Sequence, residues 1–346
     1  MMENIIDLRS DTVTKPSKEM RRVISSALVG DDIYGEDPSS NALSKYTAEL
    51  MGKEDAIYTC SGTMGNLLSF LTAGQHGESL LAGENAHVWC SEVGGLSGVA
   101  GLCPYPLTDD EGIPKVEDIA KASRADGNIH HPDTTILTLE NTHNYRGGIA
   151  VAPDRFAAVA REGKRLGFHV HLDGARIFNA SVLHKVNVKV FTKEVDSVQF
   201  CLSKGLGAPL GSMLCGTHEF IQKAKKWRKR LGGGQRQLGI VAAAGLYALQ
   251  NNIDRLVEDH ENAAILFELL KKGGVAVENV LNMTNMVFFL LPEDIKDEKE
   301  FLNDCAKHGL LLNTMGAGRV RLVTHLDVSR KDIERAAEII IGVLSE

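Results

Sequence analysis

Residues 197–209, SVQFCLSKGLGAP, decide how this chain is read. An apolar run, Phe200-Cys201-Leu202, stops at Ser203-Lys204, and the chain then turns through Gly205, Gly207 and Pro209. A short apolar run closed by glycine and proline marks a buried strand that enters a turn. Lys204 at its mouth is either an ordinary surface cation or an amine kept there to react. Residues 168–176, FHVHLDGAR, have the same form, with apolar Val170 and Leu172 leading to Asp173, Gly174-Ala175 and Arg176.

Outward from these two stretches, strand and helix patterns alternate. Strands are expected in AIYTCSG (56–62), ESLLAGEN (78–85) and DTTILTLENT (133–142). Helices are expected near Ser17–Ala27, Asn41–Met51, Met64–Leu71 and Asp154–Gly167, with a long one over Gly239–Asp259. Short buried strands between amphipathic helices predict an α/β protein built on a mostly parallel sheet covered on both faces. Beyond residue 250 the pattern changes. GGVAVE, TNMVFFLL, HGLLLNTMGAG and RVRLVTH read as strands interleaved with helices near Glu298–His308 and Arg330–Leu344, a smaller α+β unit. The expected division is a large domain over 22–249 and a small one over 250–346, with residues 1–21 packing at the site and the small domain.

Bulk composition removes several function classes. A net charge of −7 argues against nucleic acid or an anionic membrane as the main partner. The basic run Lys223–Arg230 reads as a solvated helix face. MMENIIDLRSDT lacks the apolar core of a secretory signal, and no apolar span approaches membrane length. The six cysteines show no CxxC spacing and read as small reduced core residues of a cytoplasmic protein, with no metal expected.

In open α/β sheets ligands sit beyond the carboxyl ends of the strands, where Asp173 and Lys204 should lie. Asp173 as a helix cap, or the two as a salt bridge, is the plainer alternative. The chemical reading is a pyridoxal phosphate site, with the lysine amine on the cofactor's aldehyde and the carboxylate on its ring nitrogen. Gly205, Gly207 and Ala208 would let a flat ring lie close to the backbone. CSGTMGN (60–66) supplies a phosphate turn at a helix start through Ser61, Gly62 and Thr63.

Eight motifs in order, IDLRSDTVTKP, GDDIYGEDP, SGTMGN, ENTHN, HLDGARIFNA, FCLSKGLGAPLGS, LGGGQRQ and VRLVTH, resemble the L-threonine aldolase family. That resemblance spans residues 5 to about 326. It implies the aspartate-aminotransferase-like, fold type I architecture with a seven-stranded sheet. Lys204 then matches the Schiff-base lysine, Asp173 the acid on the ring nitrogen, and Arg176 the arginine near the ring hydroxyl. His87 matches the histidine stacked on the cofactor, a residue otherwise read as structural. Ser10 and Arg321 match groups that hold the substrate carboxylate. A planar guanidinium suits that task. His130, followed directly by His131, and Tyr34 match residues near the β-hydroxyl or the phosphate, and Arg236 a contact across subunits. The neighbouring subunit contributes some of these, so the resemblance implies a homo-oligomer, a dimer or a dimer of dimers.

The implied reaction is retro-aldol cleavage of L-threonine or L-allo-threonine to glycine and acetaldehyde, with His87 or His130 as base. Transamination or β-elimination on the same cofactor is the nearest alternative. Serine hydroxymethyl transfer and a silent scaffold are the others.

Overall fold

The computed structural model describes residues 5–124, 127–295 and 297–345. Strand β1 (Ile6–Asp7) stands apart from the main sheet. The main sheet contains β2 (Asp55–Thr59), β3 (Ser79–Gly83), β4 (Cys103–Leu107), β5 (Thr134–Glu140), β6 (His169–Asp173), β7 (Ser197–Cys201) and β8 (Ser212–Gly216). Their order across the sheet is β2-β8-β7-β6-β5-β3-β4, and only β8 runs against the others. This is the expected seven-stranded, mostly parallel sheet.

β3, β7 and β8 are buried along their whole length, because helices cover both faces. Helices Gly62–Ala73 and His218–Arg230 pack together on the sheet as one group; Pro38–Met51 and Gly239–Asn251 form another. The basic run 223–230 falls on the helix His218–Arg230, mostly solvated, although Arg228 is buried. The core between these layers includes Phe156, Phe178, Phe191 and Phe200.

A second sheet, ordered β12-β13-β10-β9, is built from β9 (Ala276–Val277), β10 (Met286–Leu290), β12 (Asn313–Thr314) and β13 (Arg319–Val323). β11 (Leu310–Leu311) pairs in parallel with β1. Ile6 and Leu8 are therefore buried in the C-terminal core with Leu266, Phe289, Phe301 and Ile333. Residues 1–4 of the N-terminal segment lie outside the described residues.

Three expectations need correction. The long helix over Gly239–Asp259 is two helices, Gly239–Asn251 and Leu256–Lys272. At the break the Asn252 side-chain amide donates to the Leu206 carbonyl at 2.8 Å, drawing the chain toward the turn after Lys204. The cysteines are not all core residues: Cys201, Cys215 and Cys305 are buried, whereas Cys60, Cys90 and Cys103 are exposed, and all six are free. Gly205 and Gly207 do not clear space for a ring. A Cβ on Gly207 would come within 2.7 Å of Leu326, and one on Gly205 within 3.0 Å of Leu256, so protein already fills that space.

Pairing across the sheet places the next layer of chemistry. Glu140 on β5 sits opposite Asp173 on β6, and Asp173 opposite Gln199 on β7. In-register partners project to the same face, so three polar side chains stand in a row at the carboxyl edge. Phe200, next to Gln199, points the other way into the core, edge-on to Phe178 at 5.2 Å. Phe200→Ala should destabilise the fold by about 3–5 kcal/mol through lost burial and a cavity under the strand that carries Lys204. Urea unfolding monitored by circular dichroism measures this, and a loss below about 1 kcal/mol would contradict the packing described.

Candidate active site

A cavity of about 350 Å³ opens at the carboxyl edge, a size suited to a small molecule. Its lining includes Ser61, Gly62, Thr63, His87, Asp173 and Lys204, brought together from four segments of the chain. Among the described residues Lys204 makes no ion pair with Asp173; the carboxylate whose field it feels is Asp11. The Lys204 carbonyl accepts from the Thr14 hydroxyl at 3.1 Å and from the Gly207 amide at 2.8 Å. The backbone around the lysine is thus fixed, and the residue lines the cavity.

Asp173 is buried and accepts three hydrogen bonds: Asn66 Nδ2 at 2.9 Å, Gln199 Nε2 at 2.9 Å and the Ala175 amide at 3.1 Å. Asp173 is therefore not a helix cap; Arg176 occupies the position preceding Ile177–Leu183. Ser61 caps the helix Gly62–Ala73 through its side chain on the Met64 amide at 3.1 Å. That leaves the first-turn amides of Gly62 and Thr63 at the positive end of a twelve-residue helix beside the cavity. A Cβ on Gly62 would meet Cys201 Sγ at 2.9 Å, so close packing against β7 also requires glycine here.

His87 donates its backbone amide to Glu140 Oε2 at 2.7 Å, and its Nδ1 lies 2.9 Å from Glu92 Oε1. Burial of the ring pulls its pKa down, but the bond to Glu92 and the charges of Asp173 and Glu140 outweigh this and hold it above the ordinary value. Nδ1 is spent on Glu92, which leaves Nε2 for the cavity.

Arg176 is buried and forks onto Asp11, Nε to Oδ2 and Nη2 to Oδ1, both at 2.7 Å. Burial pushes the Asp11 carboxyl up, yet Arg176 beside it holds it well below the usual carboxylate range. Ser10 caps the short turn Asp11–Val13 through its hydroxyl, and that turn puts Thr12 in the cavity wall. Arg321, half-buried on β13, donates to Asn144 Oδ1 at 3.1 Å and to the Arg9 carbonyl at 3.3 Å, and its Nε is buried without a partner. Burial and the neighbouring Arg176 lower its pKa to about 10, so it remains charged at neutral pH with only neutral acceptors bonded to it.

Ser10, Arg176 and Arg321 are not in the cavity lining, and three further expected residues stand elsewhere. Tyr34, 75% exposed, and Arg236, paired to Asp31 at 3.0 Å, lie together on the surface. Their loops join through the Asp32 amide on the Arg236 carbonyl. His130 lies on an exposed turn before the amino end of β5, opposite the edge that carries the site. None of the three lines this chain's own cavity. The residues that motif reading passed over are Asp11, Asn66, Glu92, Glu140 and Gln199. A polar Gln199 inside a strand buried from end to end was the available signal.

The residue set fits pyridoxal phosphate: an amine, a carboxylate fixed by three hydrogen bonds and a helix amino terminus share one cavity of matching size. Glu92→Gln should lower the His87 pKa by about one unit, because the hydrogen-bonded anion is lost while burial remains. Titration of the His87 ring by nuclear magnetic resonance measures the shift, and an unchanged or raised value would contradict it.

Comparison with known proteins agrees with this geometry. A family described as beta-eliminating lyase matches residues 7–293. The low specificity L-threonine aldolase of Escherichia coli strain K12 is 44% identical over 96% of this chain and 97% of its own length. Low-specificity L-threonine aldolase 1 of Arabidopsis thaliana is 40% identical over 96% of this chain and 94% of its own. Among solved structures, a Leishmania major threonine aldolase superposes with a TM-score of 0.84 at 18% identity, covering 98% of this chain and 99% of that one, a likeness of fold.

Proposed function

The chain belongs to the L-threonine aldolase family of beta-eliminating lyases, and from that premise we propose that it cleaves L-threonine and L-allo-threonine to glycine and acetaldehyde. The observation that carries this reading is the joint placement of Lys204, Asp173, His87 and the Ser61–Thr63 turn around one cavity. Pyridoxal phosphate, held by these residues, supplies an electron sink for the pair released when a bond at Cα breaks. Lys204 provides the amine that anchors its aldehyde, Asp173 the charge for its ring nitrogen, and the amides of Gly62 and Thr63 the phosphate site. His87 would give the ring a stacking face, and Arg176, fixed by Asp11, would serve the ring hydroxyl.

Arg321 and Ser10 take the substrate carboxylate. Gripping that group fixes rotation about the Cα–N bond and so selects which substituent of Cα is cleaved. His87 accepts the β-hydroxyl proton at Nε2, the Cα–Cβ bond breaks, and acetaldehyde leaves. A proton returned to Cα completes glycine. An imidazole is suited to both transfers near neutral pH.

Tyr34, Arg236 and His130 enter this reading through assembly. Leu28, Val29, Ile33 and Tyr34 are all exposed within seven residues, an apolar patch of the kind that subunits cover. A homotetramer, as a dimer of dimers, would bring these residues to a neighbour's cavity. His130 on its exposed turn then remains an alternative base, from the partner side. Six free cysteines, three of them exposed, suit the reducing cytoplasm. No helix among the described residues is long and apolar enough to cross a membrane. Glycine supply from threonine is the metabolic role this chemistry serves.

The test is a visible spectrum of the purified protein with acetaldehyde assayed on adding each threonine diastereomer. A cofactor band and aldehyde release are expected, and Lys204→Ala should lose both, with turnover down at least about a thousandfold. A band without aldehyde would move the function to transamination or β-elimination. Arg321→Leu should cost about a hundredfold in kcat/KM while the band stays.

A further inference from the structure

Asn66 lies in the helix that begins at the phosphate turn, one turn beyond Gly62, and is buried. Its side-chain amide makes three bonds. Nδ2 donates to Glu92 Oε1 at 2.8 Å and to Asp173 Oδ2 at 2.9 Å, and Oδ1 lies 3.0 Å from His171 Nε2. With both N–H groups given to carboxylates, Oδ1 must accept, so His171 carries its proton on Nε2 and accepts at Nδ1 from the Ser197 hydroxyl at 2.8 Å. Burial pushes His171 down to about 3, which keeps that ring neutral. The amide has one orientation only: turned over, its oxygen would face two carboxylates.

Those carboxylates are close. Donor atoms of His87, Glu92 and Asp173 all lie within 4.8 Å of one another. Two buried carboxylates that close repel each other. Yet each has a use only as an anion, Glu92 on His87 Nδ1 and Asp173 on a ring nitrogen. The remaining donors are divided between them, since Gln199 and the Ala175 amide serve Asp173 alone and His87 serves Glu92. Among the described residues Asn66 is the one that bonds both.

We infer that Asn66 is a positioning residue that bridges Glu92 and Asp173 through one side-chain amide and so couples the proton affinity of His87 to that of the cofactor ring. The inference rests on the aldolase reading above. Coupling of this kind is reciprocal: a change at either end is felt at the other. The titratable groups facing the pair are His87 from the helix His87–Cys90, Glu140 from the end of β5 and the neutral His171 from β6. Arg176, with Asp11 beside it, borders Glu140 from the turn after β6, and Lys204 lines the same cavity.

The test uses the holoenzyme of Asn66→Leu, with Asn66→Asp as a variant that keeps the shape. One readout is the pH titration of the cofactor's visible absorbance without substrate. The other is the acid limb of kcat/KM for threonine. Removing the shared donor leaves both anions more basic, so both readouts should move to higher pH by about one unit, a tenfold change in proton affinity. Asn66→Asp sets a third carboxylate between the two and should move both in the same direction. Movement of only one readout would overturn the coupling. Loss of activity with neither readout moved would overturn it too, leaving Asn66 a packing residue. A wild-type protein without the visible band or aldehyde release would instead sink the functional reading on which the inference stands.

Discussion

The buried ion pair between Asp11 and Arg176 holds the architecture of the site together. Asp11 belongs to the N-terminal segment, whose first strand pairs with β11 and whose Ile6 and Leu8 fill the C-terminal core. Arg176 belongs to the turn after β6, at the edge of the main sheet. Two bonds of 2.7 Å join them across 165 positions of sequence. The same segment reaches Lys204, because the Thr14 hydroxyl donates to its carbonyl. A buried pair of this kind adds little net stability compared with apolar packing, but losing one partner strands the other as an uncompensated charge. Its function here is to fix a register: the segment can sit in one place only, and the C-terminal unit is fixed with it.

The site depends on a second constraint, the concentration of carboxylates. Glu92, Glu140 and Asp173 approach one imidazole, and each is satisfied differently. Glu140 takes backbone amides, those of His87 and Asn144. Asp173 takes side-chain amides and one backbone amide, while Glu92 takes the imidazole and Asn66. Neutral donors dominate, so the negative charge is stabilised without being cancelled. That distinction matters for a cavity meant to receive a cationic ring nitrogen, since a lysine or arginine in Asn66's place would neutralise the field the ring requires.

How much of this the sequence disclosed follows from where each residue's partner lies. Lys204 and Asp173 were legible because a buried strand that ends in a charge and a glycine is a local pattern, and the parallel sheet puts such ends on one edge. Asp11, Asn66 and Glu92 were not, because their meaning lies in partners that only the fold brings near. Gly205 and Gly207 were misjudged for the same reason: small residues announce a close approach without saying whether a ligand or Leu256 and Leu326 makes it. The break at Asn252 was hidden by the Ala- and Leu-rich run before it, which has the composition of an uninterrupted helix. β4 escaped notice because Pro104 and Pro106 argue against a strand. It sits at the sheet edge, where missing donors cost nothing.

The two constraints together polarise the cavity, and this bears on how a zwitterionic amino acid lies within it. Outside the lining, near the wall residues Thr12 and Ala175, stand Arg176 and Arg321, close enough that Arg176 disfavours the charge on Arg321, with Asp11 bonded to Arg176. Asp11 is consumed by Arg176, so Arg321 keeps an excess positive charge, a buried Nε without a partner and only neutral acceptors. On the other side the carboxylates around His87 keep an excess of negative charge. On the proposed reading a substrate carboxylate would be drawn to the first side, with its amino group at Lys204 between them. The β-hydroxyl end would then have the His87 side left to it. The order of charges would thus set the order of groups along the substrate. That order would bring the bond to be broken between the amine anchor and the base.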